Sequence, residues 1–224
     1  MFHDVVQYTA DWKRRRLGMP TASNFYLLVD GEGKAKPPTL KERRTYLYRC
    51  VAERVLDENM PERFEGNEAT EWGMKYEQEA AQSFMERQEI DFLEDGGFWT
   101  GEGDRYGCSP DRLFNNRREA VEIKCPQPWT HIRYMNEGPH ERTPGTERYT
   151  QQVQGQIMIC GFECVHFWSY HPKLAPVHLE VLPNERFIER LRQELENFCD
   201  EIDTKTDWVM RHGNVDEVLF TLED

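Results

Sequence analysis

Apolar residues recur at helical spacing in several stretches of the chain. In residues 69–87, Trp72, Tyr76, Ala80 and Phe84 stand at strict four-residue intervals, which predicts a helix with one buried stripe. Residues 40–56 repeat the pattern through Leu40, Leu47, Val51 and Val55, with Tyr46, Tyr48 and Cys50 adding bulk. Residues 149–160 and 187–202 also read as helices, the latter through Phe187, Leu191, Leu195, Phe198 and Ile202 with an acidic outer side. Near the start, a short helical stretch holding Trp12 is ended by Gly18 and Pro20. A second short helix follows, capped by Thr21 or Ser23 and carrying Phe25, Leu27, Leu28 and Val29.

The period changes to two over residues 120–124. With residues 113–116 this predicts a hairpin joined by an Asn-rich turn. Residues 165–170 and 177–182 are strand-like and pair across His171-Pro172-Lys173, while Phe92, Leu93, Phe98 and Trp99 around Gly96-Gly97 suggest a hairpin or a strand entering the sheet. A short amphipathic piece carries Ile132, Tyr134 and Met135, and residues 30–40 and 138–145, the latter with His140 and Arg142, are rich in Gly and Pro and read as loops. Helices alternating with strands, with no repeat and no long linker, favour one α/β domain over residues 1–224. Its mixed central β-sheet is flanked by helices, and residues 205–224 form a C-terminal extension.

Composition narrows the class. At 38% apolar and 31% charged residues, the chain belongs with soluble globular proteins. No apolar run approaches a membrane span and the first residues lack a signal pattern, so a cytoplasmic location without membrane contact is expected. Six cysteines without a Cys-x-x-Cys pair read as reduced thiols. The net charge of −13 argues against non-specific nucleic-acid binding but leaves room for a local basic patch. Arg14-Arg15-Arg16 and Lys41, Arg43 and Arg44 are the candidates, and the second group reads equally well as a solvated face.

Candidate chemistry centres on residues 106–126. On the second strand of the hairpin, Glu122 and Lys124 face one way and Ile123 the other. If the hairpin brings Asp111 alongside, two carboxylates and an ammonium share a patch. Such a patch suits a hard divalent cation, with the Lys orienting or deprotonating a water, and so suits phosphodiester cleavage. Glu77 lies at the edge of the Trp72–Phe84 stripe and can reach inward as a third carboxylate, or stand as a surface Glu among Glu71, Glu79 and Glu86. Residues 151–156 concentrate Gln151, Gln152, Gln154 and Gln156, which reads as a polar helix face. A second Glu-x-Lys, Glu32 and Lys34, sits in a loop without a strand pattern, so the tripeptide alone proves little.

Five blocks in order carry a family resemblance: Trp12 through Arg16-Leu17-Gly18 to Thr21-Ala22-Ser23; Trp72-Gly73 through Tyr76-Glu77; Cys108-Ser109-Pro110-Asp111; Glu122-Ile123-Lys124-Cys125-Pro126; and Gln152-Val153-Gln154. Over residues 11 to about 200, the chain resembles viral recombination exonucleases of the phage lambda exonuclease type (YqaJ-like), within the restriction-endonuclease-like nuclease fold. The resemblance implies that Asp111, Glu122 and Glu77 bind metal, with the Ile123 carbonyl completing the coordination, and that Lys124 positions or activates the attacking water. Two Mg²⁺ ions, with Mn²⁺ able to substitute, are the implied cofactors. Arg16, Ser23 and Ser109 are implied to hold a terminal 5′-phosphate, and Gln154 to contact the active site or the DNA backbone. The implied activity is 5′-to-3′ degradation of one strand of linear duplex DNA, releasing mononucleotides and leaving a 3′ overhang for a single-strand annealing protein. A homotrimeric ring around the DNA is implied as well. The alternatives are a structure-selective endonuclease of the same fold, or a DNA-end-binding recombination protein without catalysis. The four-cysteine iron–sulfur arrangement of some nuclease relatives is missing, since Cys199 is the only cysteine after Cys164.

Overall fold

The computed structural model describes residues 1–56, 68–138 and 147–213. The predicted loop with His140 and Arg142 and the last eleven positions of the predicted extension therefore lie outside the described residues. In chain order the elements are β1 (Phe2–His3), α1 (Ala10–Arg15), a 3-10 turn (Ala22–Leu27), α2 (Lys41–Leu56), α3 (Glu68–Gln88), β2 (Glu94–Asp95) and β3 (Phe98–Thr100). These are followed by a second, short 3-10 turn (Glu102–Asp104), β4 (Gly107–Cys108), β5 (Arg112–Leu113), β6 (Glu119–Lys124), α4 (Pro128–Glu137), α5 (Glu147–Cys160), β7 (Cys164–Ser169), β8 (Val177–Val181) and α6 (Glu185–His212).

A five-stranded sheet in the order β2-β5-β6-β7-β8 forms the centre, and it is mixed: β6 and β7 run parallel while the other pairs are antiparallel. Parallel neighbours need a long crossover, and α4 and α5 supply it. Alternation along β6 and β7 splits the apolar residues between two layers. Val121, Ile123 and Trp168 pack with Ala80, Ala81 and Phe84 of α3. Ala120, Val165 and Phe167 pack with Tyr134 of α4, Val153 and Ile157 of α5, and Ile188 of α6. A third cluster joins the 3-10 turn after Thr21 to α2 and α6 through Phe25, Leu28, Tyr46, Leu47, Leu191 and Phe198.

Phe98 and Trp99 belong to a separate three-stranded sheet, β1-β3-β4, while Glu94 and Asp95 join the central one, so the chain changes sheets across Gly96-Gly97. Gly96 is required there, because a Cβ would fall 1.6 Å from the Pro110 carbonyl oxygen. Helix α6 outruns the predicted end at residue 202 and continues to His212, closed by Arg211 and His212 in its last turn, which suit the negative end of the helix dipole.

The basic start of α2 is neither a solvated face nor a phosphate patch at its middle residue. Arg43 is 2% exposed and pairs with Glu194 and Glu201 of α6 at 3.0 and 2.6 Å. All six cysteines are free thiols, with Cys108 and Cys160 in contact at 3.4 Å. No described helix is long and apolar enough to cross a membrane.

Candidate active site

The β5–β6 hairpin explains the eleven-residue gap between the two carboxylates. Arg112 stands opposite Val121 and Leu113 opposite Ala120, so one step further the same register sets Asp111 beside Glu122. The Ile123 backbone N–H donates to Asp111 Oδ2 at 2.7 Å and fixes that carboxyl at the strand edge. Glu122 and Lys124 share the face of β6 turned toward α5, whereas Ile123 joins the α3 layer.

Glu122 is 1% exposed. A carboxylate so placed must be satisfied by the protein, since burying an unpaired charge is costly. The Lys124 ammonium and Gln152 Nε2 donate to its Oε1, the latter at 2.6 Å, and Gln156 Nε2 donates to its Oε2 at 2.6 Å. Gln152 and Gln156 are one helical turn apart on α5 and therefore share a face. Gln154 is turned about 200° from Gln152. It lies on neither cavity wall, and its amide is used elsewhere: Nε2 donates to the Leu182 carbonyl and Oε1 accepts from the Asn184 N–H, both at 2.9 Å. Geometry thus assigns Gln154 to joining α5 with the β8–α6 connection.

Glu77 comes from α3, on the other side of the sheet edge. Arg112 brings it in, donating to Glu77 Oε1 at 3.2 Å and to the Asp111 carbonyl at 2.6 Å. On the opposite flank, the Trp12 indole N–H donates to Ser109 Oγ at 2.7 Å, which leaves the Ser109 hydroxyl proton available to a ligand. The Arg16 guanidinium lies over the Trp12 ring at 4.0 Å and donates to Thr21 Oγ1 at 3.4 Å.

Two cavities meet here. The smaller, about 180 Å³, is bounded by Arg16, Ser23, Ser109, Asp111, Glu122 and Lys124. The larger, about 730 Å³, is bounded by Glu77, Asp111, Ile123 and Lys124 together with Arg133 and Tyr149. Tyr8, Ser23, Asp111, Lys124 and Gln152 belong to both walls, so the two spaces adjoin along the carboxylates. Apart from Gln154, every site residue that the resemblance implies lines one or both.

Electrostatics at the junction is strained. Burial, then the neighbouring Glu122 and Glu77 charges, hold the Asp111 carboxyl well above the usual carboxylate range, against Lys124 and the Ile123 N–H. Burial alone would lower the Lys124 ammonium, but Glu122 and Asp111 outweigh it and hold its pKa above the ordinary value. In this arrangement Lys124 is a fixed positive charge, suited to orienting a water or an anionic oxygen. Asp111 borders both cavities, Glu122 the smaller one and Glu77 and Ile123 the larger, so three carboxylates lie along the junction as hard oxygen donors, a donor type that fits Mg²⁺.

Four contributors carried no specific sequence signal or were read otherwise. Tyr8, in a left-handed conformation with φ of 68°, lies on both cavity walls and packs at a tilt against Trp12. Partial burial followed by Glu77 and Asp111 pushes its phenol up to about 12. Arg112 is an unremarked strand residue in the sequence. Gln156 was visible only as a member of an amide-rich helix and Gln152 also as part of the Gln152-Val153-Gln154 block, whose implied role went to Gln154; helical phase is what separates the two from Gln154.

Comparison with known proteins completes the description of the site. Residues 11–163 match the family model for the YqaJ-like viral recombinase domain. No curated protein matches the chain. Among solved structures, an alkaline exonuclease, LHK-Exo, from Laribacter hongkongensis is similar over 92% of this chain and 98% of that one, with 23% identity and a TM-score of 0.77. The same figures hold for LHK-Exo in complex with dAMP. A phage-related exonuclease from Haemophilus somnus 129PT is similar over 85% of this chain and 96% of that one, with 11% identity and a TM-score of 0.66. At these identities the likeness is one of fold.

Proposed function

The chain belongs to the YqaJ-like viral recombinase family, and on that premise we propose that it is a divalent-metal-dependent exonuclease acting on linear duplex DNA from the 5′ end. The products in this reading are 5′-mononucleotides and a 3′ single-stranded overhang for a single-strand annealing partner. One observation carries it: a small cavity with Arg16, Ser23 and Ser109 on its wall adjoins, through Asp111 and Lys124, a larger one that also reaches Glu77. A terminal phosphate in the small cavity leaves the next phosphodiester beside the carboxylates. The complex of LHK-Exo with dAMP agrees with a mononucleotide product.

In this reading Asp111, Glu122, Glu77 and the Ile123 carbonyl would hold Mg²⁺, one ion or two, with Mn²⁺ as a substitute. Bound there, the cation supplies Lewis-acid stabilisation of the attacking and leaving oxygens. The protein's own groups do the rest. Gln152 and Gln156 hold Glu122 in one orientation. Lys124 orients the attacking water by its charge, and Arg16 with the hydroxyls of Ser23 and Ser109 binds the terminal phosphate. A 5′-hydroxyl end forfeits those contacts. Three copies in a ring, the arrangement the family resemblance implies, would keep the substrate enclosed.

The test is digestion of linear duplexes labelled at either end, with Mg²⁺ or chelator, on phosphorylated and hydroxyl termini, beside covalently closed circles. Release of label from 5′-phosphorylated ends only, with circles intact, is expected. Cut circles would favour the endonuclease reading. Asp111→Ala should abolish nucleotide release while remaining folded, and near-normal release in that variant would sink the assignment. Arg16→Ala should erase the preference for phosphorylated ends.

A further inference from the structure

On the opposite face of the sheet from Glu122 and Lys124, a second group of metal-type ligands converges. Register pairs Glu119 of β6 directly with Cys164 of β7, and His166, two residues along β7, projects from the same face. The carboxylate oxygen of Glu119, Cys164 Sγ and a ring nitrogen of His166 lie within 4.8 Å of one another. A tetrahedral zinc site with ordinary bond lengths sets N, O and S ligands roughly 3.3 to 3.6 Å apart. The three atoms therefore need only small shifts to share one ion.

The ring of His166 is already oriented for this. Its Nε2 faces Glu119 Oε2 at 2.9 Å, and its Nδ1 faces His178 Nε2 at 2.9 Å. A metal-ligating imidazole characteristically donates its other N–H to an acceptor, which fixes tautomer and orientation. His178, on β8, fills that role. The rings of Phe84 and Phe114 pack on His166 at 5.6 and 5.2 Å and limit its rotation. Glu119 remains one-third exposed, so the cluster is reachable from solvent.

We propose that Glu119, Cys164 and His166 form a cation site of the zinc class, oriented by His178 and separate from the carboxylate centre at Asp111 and Glu122. One sulfur, one nitrogen and one oxygen ligand favour a borderline-soft ion such as Zn²⁺ or Co²⁺ over Mg²⁺, whose preferred donors are all oxygen. The ion would tie β6 to β7 where their parallel pairing begins. It does not depend on the nuclease reading, because none of its ligands lines either active-site cavity.

The test is titration of metal-free full-length protein with Co²⁺, read by the sulfur-to-cobalt charge-transfer absorption and by competition with Zn²⁺. A thiolate band that saturates at one equivalent of bound Co²⁺ per chain is expected, whatever further Co²⁺ the carboxylate centre takes without a thiolate band, and it should be present in Asp111→Ala and absent in Cys164→Ser. Glu119→Gln, at a partly exposed position, should weaken binding. His178→Ala should weaken it by about 10- to 100-fold. Absence of a thiolate band overturns the proposal. So does a band that survives Cys164→Ser and disappears in Cys125→Ser, which would place the ion beside the active-site cavity.

Discussion

Glu122 carries more of the site's organisation than any other side chain. Both its oxygens are occupied by α5 amides, and a buried carboxylate robbed of a donor loses about 1 to 3 kcal/mol. Gln156→Met should therefore lower nuclease turnover at least tenfold, by releasing Glu122 from its orientation, with a stability loss of that size in denaturant unfolding. Gln154→Ala should behave oppositely. It breaks the bonds to Leu182 and Asn184, costing about 1 to 2 kcal/mol, while turnover per folded molecule stays near wild type. Equal loss of turnover in both variants would mean that Gln154 also reaches the substrate. This pair also marks the limit of what the sequence reveals. The carboxylates and Lys124 are legible from a period of two and an ordered motif. The amides are not, because only the angular position of α5 over the sheet decides which Gln faces Glu122, and that position is set by packing far from the residues themselves. Arg112 is hidden for a similar reason: its bond to Glu77 joins elements 35 residues apart.

Among the elements, the hairpin was readable because turn residues and alternation are local, and its register follows once the turn is fixed. The helices were readable too, except for their ends. The contact between α5 and the 3-10 turn carrying Ser23 was not. It depends on Gly155, where a Cβ would fall 2.6 Å from two atoms of the fully buried Phe25 ring. Gly155→Ala gains helix propensity but must displace that ring, and overpacking of this kind costs about 1 to 3 kcal/mol. A net destabilisation is expected in chemical unfolding, together with a weakened preference for phosphorylated ends as Ser23 shifts. A more stable variant would refute the close packing. A second joint between elements depends on pH. Partial burial pushes Asp203 up, but Arg54 and Arg105 outweigh it and hold its carboxyl below the usual range. Its stabilisation is accordingly present above about pH 4 and fades as pH falls through the lower folded value. Asp203→Asn should cost about 1 kcal/mol at neutral pH, a modest sum because the carboxylate is half exposed, and should match wild type once the pH has fallen below the carboxyl's lowered folded value.

For the whole molecule the question is how a chain of net charge −13 holds a polyanion. Many of its cations are already committed: Arg43, Arg54, Arg105, Arg117 and Arg118 all pair with carboxylates away from the cavities. Among the described residues, the cations that reach the cavity walls are few, chiefly Arg16, Lys124 and Arg133. Affinity that comes from so few phosphate contacts releases few counterions, whereas a basic surface groove would release many. Binding of a 5′-phosphorylated duplex end to Asp111→Ala protein, followed by fluorescence anisotropy across salt concentrations, should give a log–log slope of about −3. Closed circles should compete poorly, because a net charge of −13 repels duplex that offers no end. A slope of about −6 or steeper, or equal competition by circles, would require an extended cationic track, and grip on the DNA would then rest on surface charge rather than on recognition of the strand terminus.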